Sequence, residues 1–242
     1  MSGALDAHLR SGPQMLQYQT LARRLAERNP GRTLDWGCGY GQVTALLRAE
    51  GVDATAFDYR AELDTPAIEP LERFPSIDAH LSPDPVALPF EDDSFDTVLS
   101  CGVLEHVEDP DGSLEEIGRV LRPFGTFFIT NLPNRWSYTE KIARLLGRYY
   151  HGQLPNDRVY TKRTVRELLD RHGFAIEELR TVHMLPLTLG GPAGPVWRLS
   201  RALERIPGLN LVATSLELAA TNAGGTDGRA PTAAPRARNG PR

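Results

Sequence analysis

Apolar and polar positions along this chain switch repeatedly between a helical and a strand period. Met15, Leu16, Leu21, Ala22 and Leu25 recur at helical spacing and predict an amphipathic helix over Pro13 to Arg28, broken by Asn29-Pro30-Gly31. Short apolar runs predict strands at Arg32 to Trp36, Ala54 to Asp58, Asp78 to Leu81, Phe95 to Cys101 and Gly125 to Asn131. Between them, Gln42 to Glu50 (stopped by Gly51) and Ser113 to Leu121 read as helices. The proline-punctuated stretch from Ala61 to Pro75 allows only a short or irregular helix. Farther on, helices are expected at Tyr138 to Arg148, Lys162 to His172 and Val196 to Arg205, with strands at Phe174 to Val182 and Ser215 to Thr221.

Strands that alternate with helices imply an α/β protein with a parallel, doubly wound sheet. The expected organisation is a helical segment over 1–31, one domain over 32–221, and a tail over 222–242. The tail is rich in Gly, Ala, Pro and Arg without apolar periodicity, so it is expected to be disordered. Two stretches stand out as additions to the alternating core: an aromatic-rich insertion at about 135–160, suited to a lid, and an apolar one at about 184–205.

Composition narrows the class. A chain of 242 residues, 40% hydrophobic, can bury one sizeable core. A formal net charge of −4 argues against a general nucleic-acid binder. The two cysteines, Cys38 and Cys101, form neither a disulfide framework nor a zinc spacing, and no ligand cluster calls for a metal. No run reaches membrane-span length and the N-terminus lacks a signal-like apolar core, so a cytoplasmic protein is expected. Contact of the apolar insertion with a membrane surface stays open, as does the oligomeric state.

The chemistry begins at LDWGCGYGQVT, Leu34 to Thr44. Gly37, Gly39 and Gly41 allow a tight strand-to-helix turn and close approach of a ligand to the backbone. A dinucleotide fingerprint needs a glycine where Gln42 stands, and a triphosphate loop needs a Lys-Ser/Thr pair that is absent. Asp35 ahead of the glycines would repel a pyrophosphate but suits a cationic group. Asp58, about twenty residues on, can accept hydrogen bonds from two ribose hydroxyls. These features fit a nucleoside with a zwitterionic, cationic tail, a description that S-adenosylmethionine meets.

Downstream, AFDYR, LPFEDDSFDTV, GVLEHVEDP and RVLRPFGTFFIT follow the glycine loop in order. Over Arg32 to Asn131 the chain thereby resembles class I S-adenosylmethionine-dependent methyltransferases. The branch it is most similar to is that of ubiquinone-type O-methyltransferases, in the methyltransferase type 11/23-like group. The resemblance implies a Rossmann-like, doubly wound seven-stranded sheet of order 3-2-1-4-5-7-6 with the last strand antiparallel. It implies that S-adenosyl-L-methionine is the cofactor and S-adenosyl-L-homocysteine the product, with the 1–31 helix covering the cofactor site. Asp35, Gly37, Cys38, Gly39 and Gly41 would line its methionine end, and Asp58 with Tyr59 its ribose. Asp84 and Pro85 would lie at the adenine, and Cys101 beside the ligand.

Two departures from the family pattern follow. Pro85 has no N–H for the adenine ring, so either another donor such as Val86 substitutes or the adenine pocket is rearranged. Trp36 and Tyr40 are bulky for the loop and serve either a cation–π contact to a sulfonium or ordinary packing.

His106, in VLEHVED after the fourth strand, sits where ligands of such sheets bind and is the candidate general base. The resemblance supports this reading, and a structural turn is its rival. The expected activity is methylation of a small, partly hydrophobic acceptor, at a hydroxyl in the first reading. Carbon or nitrogen methylation, or cofactor binding without turnover, are the alternatives. Tyr149, Tyr150, His151 and Tyr160 in the lid are the candidate acceptor contacts.

Overall fold

The computed structural model describes residues 11–59, 77–145, 147, 157–186 and 192–224. The irregular helix expected in 61–75 lies outside these residues. So do Tyr149, Tyr150 and His151, and the tail beyond 224.

The chain begins with α1 (Gly12–Ala26), whose first turn is capped by the Ser11 hydroxyl and carries Pro13 where no N–H is needed. There follow β1 (Thr33–Trp36), α2 (Gln42–Ala49), β2 (Ala54–Tyr59), β3 (Ala79–Ser82) and β4 (Phe95–Cys101). Next come α3 (Pro110–Val120), β5 (Leu121–Pro133), α4 (Tyr138–Leu145) and α5 (Lys162–Arg171). The chain continues through β6 (Phe174–Val182), α6 (Ala193–Glu204) and a 3₁₀ turn (Leu209–Val212), and ends in β7 (Ser215–Asn222).

The strands form one seven-stranded sheet of order β3-β2-β1-β4-β5-β7-β6. β1 to β5 pair in parallel, whereas β7 runs antiparallel to both β5 and β6. The sheet expected from the sequence is therefore the one observed. Its order reverses at β1, flanked by β2 and β4, which makes the carboxyl ends of β1 and β4 the switch point where such sheets bind ligands.

Helices cover both faces, so strand residues alternate between two apolar clusters instead of between core and solvent. Val98, Phe127, Leu218 and Ala220 join Leu114, Ile117, Val165 and Leu169 on one face. Leu99, Phe128 and Ala219 join Tyr18, Leu21, Leu25, Val43 and Leu47 on the other, under α1 and α2. Trp36 is packed into the first cluster at 5% exposure, so it takes the packing role of the two open to it.

Several boundaries differ from the sequence expectation, β5 most of all, which runs from Leu121 to Pro133 and not from Gly125 to Asn131. α3 starts at Pro110, not Ser113, because the Asp109 carboxylate caps the Gly112 N–H at 3.0 Å. α6 starts at Ala193, not Val196, since Pro195 is tolerated in a first turn whose N–H groups have no helical partner. Asn222, assigned to the tail, instead closes β7, where its Nδ2 donates to Gly118 O at 3.0 Å and Leu121 O at 3.2 Å.

Candidate functional site

Asp35 points to the α1 face of the sheet, in register with Leu99 of β4. Two residues on, Cys101 shares that face; two residues beyond Phe128, so does Thr130; two before Ala219, so does Glu217. A polar row thus crosses the carboxyl edge of an otherwise apolar sheet face. Asp35 is 1% exposed and accepts from Thr44 Oγ1 at 2.5 Å. Burial raises its carboxyl to about 6 against the pull of the Thr44 hydrogen bond, and the nearby Asp58 charge adds to the rise. An uncompensated buried carboxylate of this kind favours a cation beside it.

The three loop glycines serve different ends. All have positive φ, at +76°, +55° and +75° for Gly37, Gly39 and Gly41. A Cβ on Gly37 would come within 2.5 Å of Val103, and one on Gly41 within 2.7 Å of Ile77, so both are required by packing. A Cβ on Gly39 would meet nothing within 4 Å, which leaves Gly39 as the open approach to the backbone. The turn is held by Gly37 and Cys38 N–H groups donating to Phe57 O, each at 2.9 Å, and by Gly41 N–H donating to Cys38 O at 2.9 Å. Cys38 is buried. Gln42 Oε1, at the start of α2, is buried without a hydrogen-bond partner.

Asp58 ends β2 and accepts from the Tyr59 N–H at 2.9 Å, with the Tyr59 ring 45% exposed. Asp84 follows β3. Its Oδ1 accepts from the Val86 and Ala87 N–H groups at 2.8 and 2.9 Å, which hold its carboxyl below the usual range. The Val86 N–H is therefore committed to Asp84 and does not replace the donor missing at Pro85, which is itself exposed. Cys101, at the end of β4, receives Asn131 Nδ2 on its sulfur at 3.5 Å. Burial pushes its thiol up, as do the charges of Asp35, Glu105 and Glu217.

The β4–α3 loop carries Glu105 and His106. The His106 ring is half-exposed, and its Nδ1 lies 2.7 Å from Asp157 Oδ1. Nε2 lies 3.9 Å from Glu105 Oε1. Glu105 is 3% exposed and its Oε2 has no partner. Burial pushes its carboxyl up to about 8, with a smaller push from Asp157, so it is neutral at neutral pH. Arg158 fastens this loop to the segment that leads into Tyr160. Its N–H donates to Glu105 O at 2.9 Å and its guanidinium to the carbonyls of Val107 and Glu108.

Tyr160 does not belong to the acceptor contacts expected of it. It is 6% exposed within the first apolar cluster, and its hydroxyl donates to Leu104 O at 3.4 Å. Its phenol is part of the core, and its hydroxyl is already engaged.

Several residues at this edge were not singled out from the sequence. Gln14 donates to Gln17 at 2.9 Å, and Gln17 donates to Asn131 Oδ1 at 3.2 Å, linking α1 to β5. Tyr18 is buried beside them. Glu217 accepts from Arg24, Arg180 and Thr130. The signals were present: Gln14 and Gln17 lie on the stripe that continues as Tyr18 and Leu21, and Glu217 interrupts an apolar strand. Asp157 carried none, being one acid in an irregular segment.

The fold and the site together define an α/β protein with a doubly wound sheet and a glycine turn at its switch point. Residues 11–179 match a family model described as a methyltransferase domain, and the chain belongs to that family. It is 33% identical over 147 residues to a ubiquinone biosynthesis O-methyltransferase of Xanthomonas oryzae pv. oryzae, covering 57% of this chain and 60% of that one. It is 30% identical over 131 residues to a malonyl-[acyl-carrier protein] O-methyltransferase of Enterobacter lignolyticus, covering 51% of each. The chain thus spans about half to three fifths of the length of these curated relatives. Among solved structures, it shares the fold of the Burkholderia thailandensis 1,6-didemethyltoxoflavin-N1-methyltransferase, solved with 1,6-didemethyltoxoflavin and S-adenosylhomocysteine. That likeness has a TM-score of 0.53 at 20% identity and covers 86% of this chain and 79% of the other. The residues present fit S-adenosylmethionine: an open glycine, a buried acid without a cation, and a second acid at the end of β2.

Proposed function

We propose that this protein transfers a methyl group from S-adenosylmethionine to a hydroxyl of a small, partly apolar acceptor. The observation that carries the reading is the buried Asp35 carboxylate of β1, followed in the next turn by the open backbone at Gly39. Asp35 would face the cationic amino-acid end of the cofactor, Asp58 its ribose hydroxyls, and the free Asp84 Oδ2 its adenine amino group. Tyr59 and Pro85 would flank these contacts, and α1 would cover the site from the Cys101 side through Gln14, Gln17 and Tyr18. When bound, the cofactor supplies an electrophilic methyl group on a sulfonium.

His106 then has a defined task. Asp157 accepts from Nδ1–H, which leaves the Nε2 lone pair to take the acceptor proton as the oxygen attacks. The new O–CH₃ bond forms as the S–CH₃ bond breaks, and the proton ends on His106. Glu105, held neutral by burial, lies next to Nε2 without locking the ring as an imidazolium. Both curated relatives described above are named O-methyltransferases, which supports oxygen as the nucleophile.

The test is incubation with methyl-labelled S-adenosylmethionine and matched phenol, aniline and carbon-acid acceptors. Label on phenol oxygen supports the proposal. Label only on nitrogen or carbon would overturn the choice of nucleophile, and no label with S-adenosylhomocysteine bound would favour a non-catalytic protein.

A further inference from the structure

His183 follows β6 directly, at positive φ (+65°) and 4% exposure. Among the described residues, neither of its ring nitrogens has a hydrogen-bond partner. Its ring lies 5.9 Å from that of Trp197, at 41°. Together with Gln17, Leu21, Val182, Trp197 and Glu217 it lines a cavity of about 30 Å³. A buried imidazole left without a partner is destabilising, so a cavity at that ring is a place for a ligand group.

The charged neighbours are already matched. Glu217 accepts from Arg24 at 2.8 Å, from Arg180 Nε at 2.9 Å and from Thr130 at 3.1 Å. Arg201 pairs with Glu204 at 2.9 Å. Burial holds the His183 ring neutral, bringing its proton affinity down to about 4. A neutral imidazole offers one donor and one acceptor, and a hydroxyl is the small group that can answer whichever of the two nitrogens faces the cavity. Leu21, Val182 and Trp197 supply an apolar wall around it.

The cavity shares the working edge of the sheet. β6 runs parallel to β4, as both relate through β5 and the antiparallel β7, so His183 and Cys101 end at the same edge. The ends of β4 and β6 are separated by β5 and β7, a span of ~14 Å at normal strand spacing. Gln17 stands between them: it lines the cavity and donates to Asn131, which in turn contacts Cys101.

We propose that the His183 cavity anchors a hydroxyl of the methyl acceptor, remote from the hydroxyl that is methylated. The acceptor is then an elongated molecule with an apolar body and a second oxygen function, able to reach across strands whose ends lie ~14 Å apart. This rests on the methyl-transfer reading of the β1–β4 edge. A single buried water is the competing occupant, for which the cavity is large enough.

The test titrates phenol, and toluene as its shape-matched control, into full-length protein with ¹⁵N-labelled histidine, following the His183 ring signals. Phenol is expected to move them and toluene to leave them in place. His183→Phe should weaken phenol binding about ten-fold, the worth of one to two hydrogen bonds, and His183→Gln should restore part of it. Thermal unfolding checks that each variant is folded. Equal responses to phenol and toluene, or none to either, would leave water as the occupant and overturn the proposal. S-adenosylhomocysteine binding by the wild-type protein is measured separately. Its absence would refute the methyltransferase reading while the phenol comparison still reports on the cavity.

Discussion

His106 Nδ1 and Asp157 Oδ1 lie 2.7 Å apart although 51 residues separate them in the chain. The Asp157 side chain is only 4% exposed, so the pair is shielded on the carboxylate side while the imidazole keeps an open edge. This is the geometry of a base whose tautomer is set by its neighbour. His106→Ala should lower the methylation rate about 10²–10⁴-fold with cofactor affinity retained. Asp157→Asn should lose part of the same factor, because an amide can present its N–H to Nδ1 and favour the wrong tautomer. Steady-state kinetics beside cofactor calorimetry checks both; an unchanged rate in His106→Ala would assign the residue to the turn alone.

In the proposed site, Asp35 would couple cofactor binding to pH. Its carboxyl is raised to about 6 in the free protein, and a cation beside it would favour the ionised form. Below that value the group must lose its proton for the cation to bind. Affinity for S-adenosylmethionine should therefore fall as pH drops through about 6, by up to about ten-fold per pH unit. Asp35→Asn should bind weakly at every pH and show a flat profile. Calorimetry across this range would read both.

Gly39 and Gly41 should separate binding from stability. Gly39→Ala incurs only the left-handed backbone strain, about 1 kcal/mol, yet narrows the one open approach in the loop. Gly41→Ala adds a collision with Ile77 to similar strain, for a loss of about 2–4 kcal/mol. Thermal unfolding and cofactor titration of the two variants should rank them in opposite orders.

Glu105 makes the fold sensitive to alkali. Its folded value, about 8, lies above the ordinary 4.5, so its contribution to stability is full below 4.5 and is lost as pH rises towards 8. The loss runs at up to about 1.4 kcal/mol per pH unit within that window. Glu105→Gln, isosteric and uncharged, should flatten this slope. Parallel slopes for the two proteins in urea unfolding would show that Glu105 is ionised in the folded state.

Much of this edge was legible because local chemistry and global fold agree there. The glycines, Asp35, Asp58 and the β4–His106 junction sit at strand ends whose apolar runs and turn residues mark themselves. Asp157 was not legible and Glu217 showed only as an acid in an apolar strand, because their partners come from distant segments; the burial of His183 depends on packing against α1 and α6. A buried Glu217 makes sense only once Arg24 of α1 and Arg180 of β6 meet it. Tyr160 failed in the opposite direction: its aromatic neighbours suggested a lid, but parallel bridging to Asn134 seats it in the core. Val86 failed because Asp84 turns back on its own loop, a local hydrogen bond that an aspartate before a proline makes available.

The central claim is that the Gly39–Asp35–Asp58 edge holds S-adenosylmethionine. Calorimetric titration of S-adenosylhomocysteine into the wild-type protein and into Asp58→Ala tests it most directly. The wild type should bind one-to-one and the variant at least about ten-fold more weakly, for the loss of hydrogen bonds to two ribose hydroxyls. No heat with the wild type, or equal affinity in the two proteins, would contradict it.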